Sequence, residues 1–565
     1  MSSGAQLIAL SLKKLGVTTV FGIVGIPIVE VGDALIKEGV RFIAFRNEQA
    51  ASYAASAYGY LTGKPGVLLV VGGPGIIHAL PGVLNARSNK WPLLVLAGSS
   101  SFSDVSKGGF QELDQVSAME PWTKLSLKPT SFDQVPLFLY KAYKASLFGT
   151  PGATYIDLPA DIVENAIEAD RVQNLLGYIS EITPQHVPRS LPPPERLQGI
   201  AELIKSAKSP LVVIGKGAAY SEAHQEIREL VESHNLPFLP TPMGKGVVSD
   251  HSDLNVSSAR SQALKSADIV LLLGARLNWI LHFGESPRYS ESVKFIQVDS
   301  TAEEIGHNSI SSLDYGLLGD IKLITKQLHN LLGFYKYPGV TQSMKTTIAK
   351  NNSSLKTKET TVGAQLNYNN VYKVLRELIS PRESDTILVS EGANTMDIAR
   401  ISFPQSTPKN RLDAGTNATM GVGMGYALAA KVVSPGKTVV AIEGDSAFGF
   451  SAMEVETAVR AHLPLIVVVM NNSGIYHGVP ETVSYAEFEK LPSTALSKET
   501  RYDLLGQSLG AEGYTASTID DVKSAFSKAL KNSEQGKTTV INVIISPGTK
   551  KKIGFGWQNK KATKL

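Results

Sequence analysis

The sequence predicts an α/β protein of three domains with parallel sheets, in which the first and third domains are built alike. Three observations carry this. Short apolar runs alternate with longer amphipathic segments, two polar linkers divide the chain, and one strand–turn–helix–strand spacing occurs twice. The 565 residues suit three or four domains at about 150 residues each. An apolar content of 43% with 19% charged residues excludes a disordered or fibrous chain.

The strands come first. Residues 67–71, 93–97, 211–214, 269–273, 295–298, 439–442 and 465–470 are continuous runs rich in Val, Ile and Leu. Such runs mark strands buried on both faces, and the helical patterns between them imply parallel connections. The linkers follow. Residues 180–195 hold five prolines, and residues 337–363 are dominated by Lys, Thr, Asn and Ser. The expected divisions are a first domain at 1–180, a central Rossmann-like domain at 190–336, a third at 364–548, and a basic tail at 549–565. The repeat links first to third. Gly72 stands twenty positions before Pro92, and Gly444 twenty before Pro464, each pair spanning a helix between two apolar strands.

Composition narrows function. The absence of cysteine excludes disulfides, a thiolate nucleophile and a cysteine–zinc site. No apolar run reaches the roughly 18 residues of a membrane span, and residues 7–12 are too short for a secretory signal. The expectation is a soluble intracellular protein. Net charge is +4, yet six lysines lie in residues 549–565, so the body is mildly acidic. With 7% aromatics, nucleic acid is not an expected partner. Walker A, H-E-x-x-H, G-x-S-x-G and EF-hand patterns are missing, and Gly215-Lys216-Gly217 alone is a weak dinucleotide signal.

The chemistry-bearing segment is 443–476. Asp445 ends one strand and Asn472 the next, and parallel strands end at one edge, where ligands bind. A carboxylate and an amide oxygen there suit Mg²⁺ shared with a phosphate, with the turn at Gly444 and Ser446 supplying N–H donors. Either residue alone would be read as a helix cap.

Together, Gly-Asp followed by Asn-Asn at this distance resembles the signature of thiamine-diphosphate enzymes. The resemblance implies a pyrimidine-binding first domain, a central domain and a pyrophosphate-binding third domain. It implies that Asp445, Asn472 and the Gly474 carbonyl hold Mg²⁺ against the diphosphate of thiamine diphosphate, beside Ser446 and Ala447. Glu48, in Arg46-Asn47-Glu48-Gln49-Ala50-Ala51, takes the place of the glutamate that hydrogen-bonds the aminopyrimidine ring; alone it would be a helix-start acid. Residues 415–423 resemble the loop that bends the cofactor, with Met420 as the wedge and the Ala418 carbonyl as an acceptor. Because Glu48 and Asp445 fall in different domains, the family pattern implies a homodimer at least, and usually a homotetramer.

The resemblance covers nearly the whole chain and is greatest to 2-hydroxyacyl-CoA lyases and oxalyl-CoA decarboxylases, through GIVGIPI (22–28), EGANTMDIAR (391–400), RLDAGT (411–416) and EGDSAFGFSAMEVET (443–457). It implies Tyr368, Ala393, Asn394 and Tyr476 near the cofactor, and Arg400 and the tail near CoA. In the central domain it implies ADP as a bound nucleotide, contacted by Lys216, Arg276, Asp299 and Ile321, although Thr150 replaces an arginine of the decarboxylase pattern. Phe110 and Gln111 stand where decarboxylases carry Tyr and Glu, and His78 fits the lyase pattern.

The expected activity is therefore a carbon–carbon lyase that cleaves 2-hydroxyacyl-CoA to formyl-CoA and a fatty aldehyde, a step of fatty-acid α-oxidation, with Glu48, His78 and Gln111 as catalytic residues. Oxalyl-CoA decarboxylase is the alternative. An acetolactate-synthase-like carboligase or a non-catalytic cofactor-binding paralogue comes third. The terminal Thr-Lys-Leu resembles a Ser-Lys-Leu address, which implies a peroxisomal import receptor and the peroxisome matrix, with the cytoplasm as a second location and a merely solvated basic tail as the other account.

Overall fold

The computed structural model describes residues 1–480 and 482–548, so the basic tail at 549–565 lies outside the described residues. The apolar runs form three parallel sheets. In spatial order the first sheet holds Arg41–Ala44, Thr19–Ile23, Gly66–Val70, Leu93–Ser99, Ala153–Pro159 and Ser126–Leu127. The third holds Arg411–Asp413, Thr386–Glu391, Thr438–Gly444, Ile466–Asn471, Thr539–Ile544 and Glu512–Ala516. Counted along the chain, both sheets read second, first, third, fourth, sixth, fifth, and their pairings are parallel. The spacing repeat in the sequence is thus one topology used twice.

The central sheet runs Phe238–Pro240, Pro210–Ile214, Ile269–Leu273, Lys294–Asp299, Leu317–Leu318. In each sheet the strand order reverses between the first and third strands, which opens a crevice at their carboxyl ends. Those crevices begin at Val24 and Val71, at Gly215 and Gly274, and at Gly392 and Asp445.

The second linker is not a loop. Gln342–Thr360 is a helix, capped by the Thr341 hydroxyl accepting from the Met344 N–H at 3.3 Å. Its far end is held by Arg376, whose guanidinium donates to both Glu359 oxygens at 2.7 and 2.8 Å. Only Met344 and Glu359 are buried along it, so no apolar stripe announces the helix in the sequence.

One apolar core spans the first and third sheets. The Ala-rich helix Glu48–Thr62 packs on the helix Gly423–Val433, and a Cβ at Gly425 would lie 2.7 Å from the Ala50 carbonyl oxygen. Between them Asn85 donates to the Tyr426 hydroxyl at 2.8 Å.

Asp413, at the end of its strand, lies between Arg400 at 3.0 Å and Arg411 at 3.9 Å. Burial alone would raise its pKa, but the two guanidinium groups outweigh burial and hold the carboxyl below its usual range. Its contribution is therefore present above the unfolded-state pKa and is lost as pH falls through the folded one. Asp413→Asn leaves buried Arg411 without its carboxylate, and should cost about 3–5 kcal/mol in chemical denaturation.

Candidate active site

The crevice of the third sheet is built by two turns. Thr386–Glu391 and Thr438–Gly444 pair with Glu391 opposite Glu443. After Glu391, Gly392 takes a φ of 98° and feeds the helix Ala393–Ser402, which has no side-chain cap at its N-terminus. After the neighbouring strand, Gly444 feeds the short helix Asp445–Phe448, which also lacks a side-chain cap. A Cβ on Gly392 would sit 3.2 Å from the Gly444 nitrogen, so the two turns meet backbone to backbone. Uncapped N–H groups converging in a crevice bind anions. Ala393, Asn394, Ser446 and Ala447 lie in these two first turns.

Asp445 is 2% exposed. One oxygen accepts the Ser446 N–H and the other the Gly474 N–H, both at 2.9 Å. Burial dominates nonetheless and pushes its pKa up to about 6. Asn472, from the end of the next strand, and Asn394 both donate to the Tyr476 carbonyl, at 3.1 and 3.2 Å. Tyr368, buried nearby, has its hydroxyl pushed up to about 12 by burial and by the Asp445 carboxylate. Tyr368, Asn394, Asp445, Asn472, Gly474 and Tyr476 thus form one group.

Among the described residues no cluster of three or more His, Asp or Glu could hold a metal. One carboxylate, one amide and one backbone carbonyl would leave a hard cation short of its six oxygens, to be completed by an anionic ligand and water. The donor set therefore fits a cation–diphosphate pair better than a free cation.

The loop after Asp413 passes beside this group. Ala418, with φ of 50°, is exposed, and half-buried Met420 accepts from the Tyr53 hydroxyl through its carbonyl at 3.4 Å. Thr416 is gripped by the central domain. Its hydroxyl receives Lys216 Nζ at 2.6 Å and Arg276 at 2.9 Å, and its carbonyl receives the Trp279 indole N–H at 2.7 Å.

In the first domain, Asn47 caps the helix that Glu48 opens, its oxygen accepting the Gln49 N–H at 2.8 Å. Glu48 and His78 meet there, Nδ1 to carboxylate 3.4 Å, with the histidine side chain 62% exposed. Gln111, at φ 55°, packs its carbonyl on Gly73 at the start of the His78 helix and lines a cavity of about 160 Å³ with Ile26 and Phe110. No hydrogen bond or ion pair among the described residues joins Glu48 to Asp445.

Lys216 and Arg276 line a cavity of about 50 Å³ in the central crevice, with Asp413 and Thr416. Burial, then Arg276, pushes the Lys216 amine well below its ordinary pKa. Asp299 accepts the Thr301 N–H at 2.9 Å, and Thr301 in turn accepts from Thr150 at 3.1 Å. Asp299 and Ile321 do not line that cavity; Ile321 is buried at the start of its own helix.

Three acids escaped the sequence reading. Glu391 and Glu443 are wholly buried, and Glu454 receives the Arg46 N–H at 3.2 Å behind the Glu48 turn. Burial raises all three pKa values. The signal was present: a glutamate ending an apolar strand, as in 439–443, is rarely buried without a task.

Three family descriptions match the chain: thiamine pyrophosphate enzyme N-terminal TPP binding domain at residues 2–118, central domain at 197–328, and C-terminal TPP binding domain at 391–543. A 2-hydroxyacyl-CoA lyase of Saccharomyces cerevisiae is 54% identical, over 99% of each chain. The human 2-hydroxyacyl-CoA lyase 1 is 45% identical, over 98% of this chain and 96% of its own. An oxalyl-CoA decarboxylase of Escherichia coli is 38% identical, over 97% and 95%. With three domains, a crevice opened by two uncapped helix starts, and relatives that match along its whole length, the chain belongs to the thiamine pyrophosphate enzyme family, in the group of 2-hydroxyacyl-CoA lyases and oxalyl-CoA decarboxylases.

Proposed function

We propose that the chain cleaves 2-hydroxyacyl-CoA into formyl-CoA and a fatty aldehyde. The observation that carries this reading is His78 beside Glu48, an exposed imidazole 3.4 Å from a carboxylate. Releasing an aldehyde requires removal of the 2-hydroxyl proton, and a base that titrates near neutrality does this best. His78 takes that proton as the bond between the carbonyl carbon and the hydroxyl-bearing carbon breaks, and Gln111 orients the hydroxyl by hydrogen bonding. Carbon dioxide leaves oxalyl-CoA without any such base.

Thiamine diphosphate, when bound, supplies a nucleophilic carbon and an electron sink. Asp445, Asn472 and the Gly474 carbonyl would hold Mg²⁺, and the first turns at Ala393 and Ser446 would receive the diphosphate. Glu48 would hold the ring nitrogen of the aminopyrimidine. That Glu48 and Asp445 lie in different domains and are joined by no hydrogen bond or ion pair among the described residues supports a site completed by a second copy, in a homodimer or tetramer. Ile77 and Leu84 on the His78 helix, and Phe450 and Met453 after the Asp445 turn, are exposed apolar side chains suited to such a contact. For a bound nucleotide such as ADP, the central crevice with Lys216 and Arg276 is the candidate; Thr150 does not line its cavity and donates its hydroxyl to Thr301 at 3.1 Å.

The test is a side-by-side assay with long-chain 2-hydroxyacyl-CoA and oxalyl-CoA. Fatty aldehyde and formyl-CoA from the first, at the higher kcat/KM, is the expected result. Faster release of carbon dioxide from the second would replace the lyase by the decarboxylase. We place the enzyme in the peroxisome matrix through residues 563–565. Deleting them from a fluorescent fusion should release it to the cytoplasm, and undisturbed import would exclude that address.

A further inference from the structure

We propose that Glu391 is the positioning residue for the loop that carries Ala418 and Met420. Its carboxylate is 0% exposed and spans that loop: one oxygen accepts the Gly421 N–H, and the other accepts the Gly423 N–H at 2.6 Å. Both donors lie just beyond Met420, and Gly421 holds a φ of 85°, a conformation that few residues other than glycine adopt. Gly423 has no room for a side chain, since a Cβ there would lie 2.5 Å from a Glu443 oxygen and 2.8 Å from a Glu391 oxygen. Glu391 is also the residue before Gly392, where the chain turns into the anion crevice. One side chain therefore ties the crevice turn to the bend loop.

The identity of that side chain matters. Glu443 faces Glu391 in register, and like charges directly opposite on neighbouring strands are unfavourable. Tyr53 and Tyr426 also face Glu391, and among the described residues neither carboxyl has an ion-pair partner. A buried acid in such surroundings depends on its two N–H donors, because no other group among the described residues satisfies its oxygens. Both Glu391 oxygens accept here, one from each of the two amides. Glutamine would turn an NH₂ group toward one of the two N–H groups and leave that donor unmade. Aspartate, one methylene shorter, could reach only one of them.

The inference rests on reading 415–423 as the loop that shapes thiamine diphosphate, and its test separates the two. Hydrogen–deuterium exchange over 415–424 is measured in the cofactor-free protein, wild type and Glu391→Gln, followed by titration with thiamine diphosphate and Mg²⁺. The Gly421 and Gly423 amides should be slow in the wild type and fast in the variant. Cofactor affinity should fall about 10–100-fold, the usual cost of losing a partner that orients a ligand-holding group. KM for the acyl-CoA should stay unchanged, since the buried Glu391 carboxylate presents no surface to it. Glu391→Asp should give intermediate exchange and intermediate affinity. Exchange in Glu391→Gln at the wild-type rate, or unchanged affinity, would overturn the assignment. So would fast exchange of both amides in the wild type, which needs no variant to fold. A wild-type protein that binds no thiamine diphosphate would refute the functional reading and leave the exchange result standing.

Discussion

Glu48→Gln should leave a folded protein that still binds thiamine diphosphate but exchanges the proton on the cofactor's reactive carbon about 10²–10⁴-fold more slowly, the range for a lost acid–base group. The variant preserves what holds the turn: Asn47 still caps Gln49, and Glu454 still receives the Arg46 N–H. It changes the one property that an amide lacks, the ability to carry a proton to and from a ring nitrogen. Solvent-deuterium exchange read by proton NMR measures this without any acyl-CoA. Exchange at the wild-type rate would remove Glu48 from its role.

The second large effect concerns His78. His78→Ala should lower lyase turnover by about 10²–10⁴-fold, again the worth of a general base. Any oxalyl-CoA decarboxylation should fall much less, because its leaving group is already an anion. The side chain is 62% exposed and His78 is not in the buried core, so the substitution should not cost the fold. Equal losses on both substrates would show that the imidazole merely supports Glu48, and the lyase-specific role would have to be withdrawn.

Much of the fold could be read beforehand, for a physical reason. Strands buried on both faces must be continuously apolar, so 439–442 and 465–470 announce themselves, and a twice-used topology repeats its spacing. The helix at 342–360 did not announce itself, because only Met344 and Glu359 along it are buried. Its other contacts are largely polar, such as Thr347 donating to Gln262 and Asn351 donating to the Ser258 carbonyl, both at 2.6 Å. In the site, Asp445 and Asn472 were visible because both end consecutive parallel strands, and such ends share an edge whatever the details. The approach of His78 to Glu48 was not visible, since it depends on how the Asn47-capped helix meets the Pro74-opened one. Glu391, Glu443 and Glu454 carry no spacing motif; the sequence marks Glu391 and Glu443 only as acids ending apolar strands, and burial completes the picture. Lys216 and Arg276 entered only through the family resemblance, as nucleotide contacts, whereas their grip on Thr416 belongs to the contact between two domains.

The packing of Glu48–Thr62 against Gly423–Val433 has a consequence for synthesis. Tyr53 and Met420, which touch across it, are 367 positions apart in the chain. At about 5–20 residues per second, the ribosome needs roughly 20–70 s to deliver the second helix after the first. During that interval the Ala-rich face of the nascent first domain has no native cover, and a sticky, half-built polypeptide is what chaperones bind and aggregation consumes. Yield in a cell should thus depend on translation speed and on holding factors well before any cofactor becomes limiting.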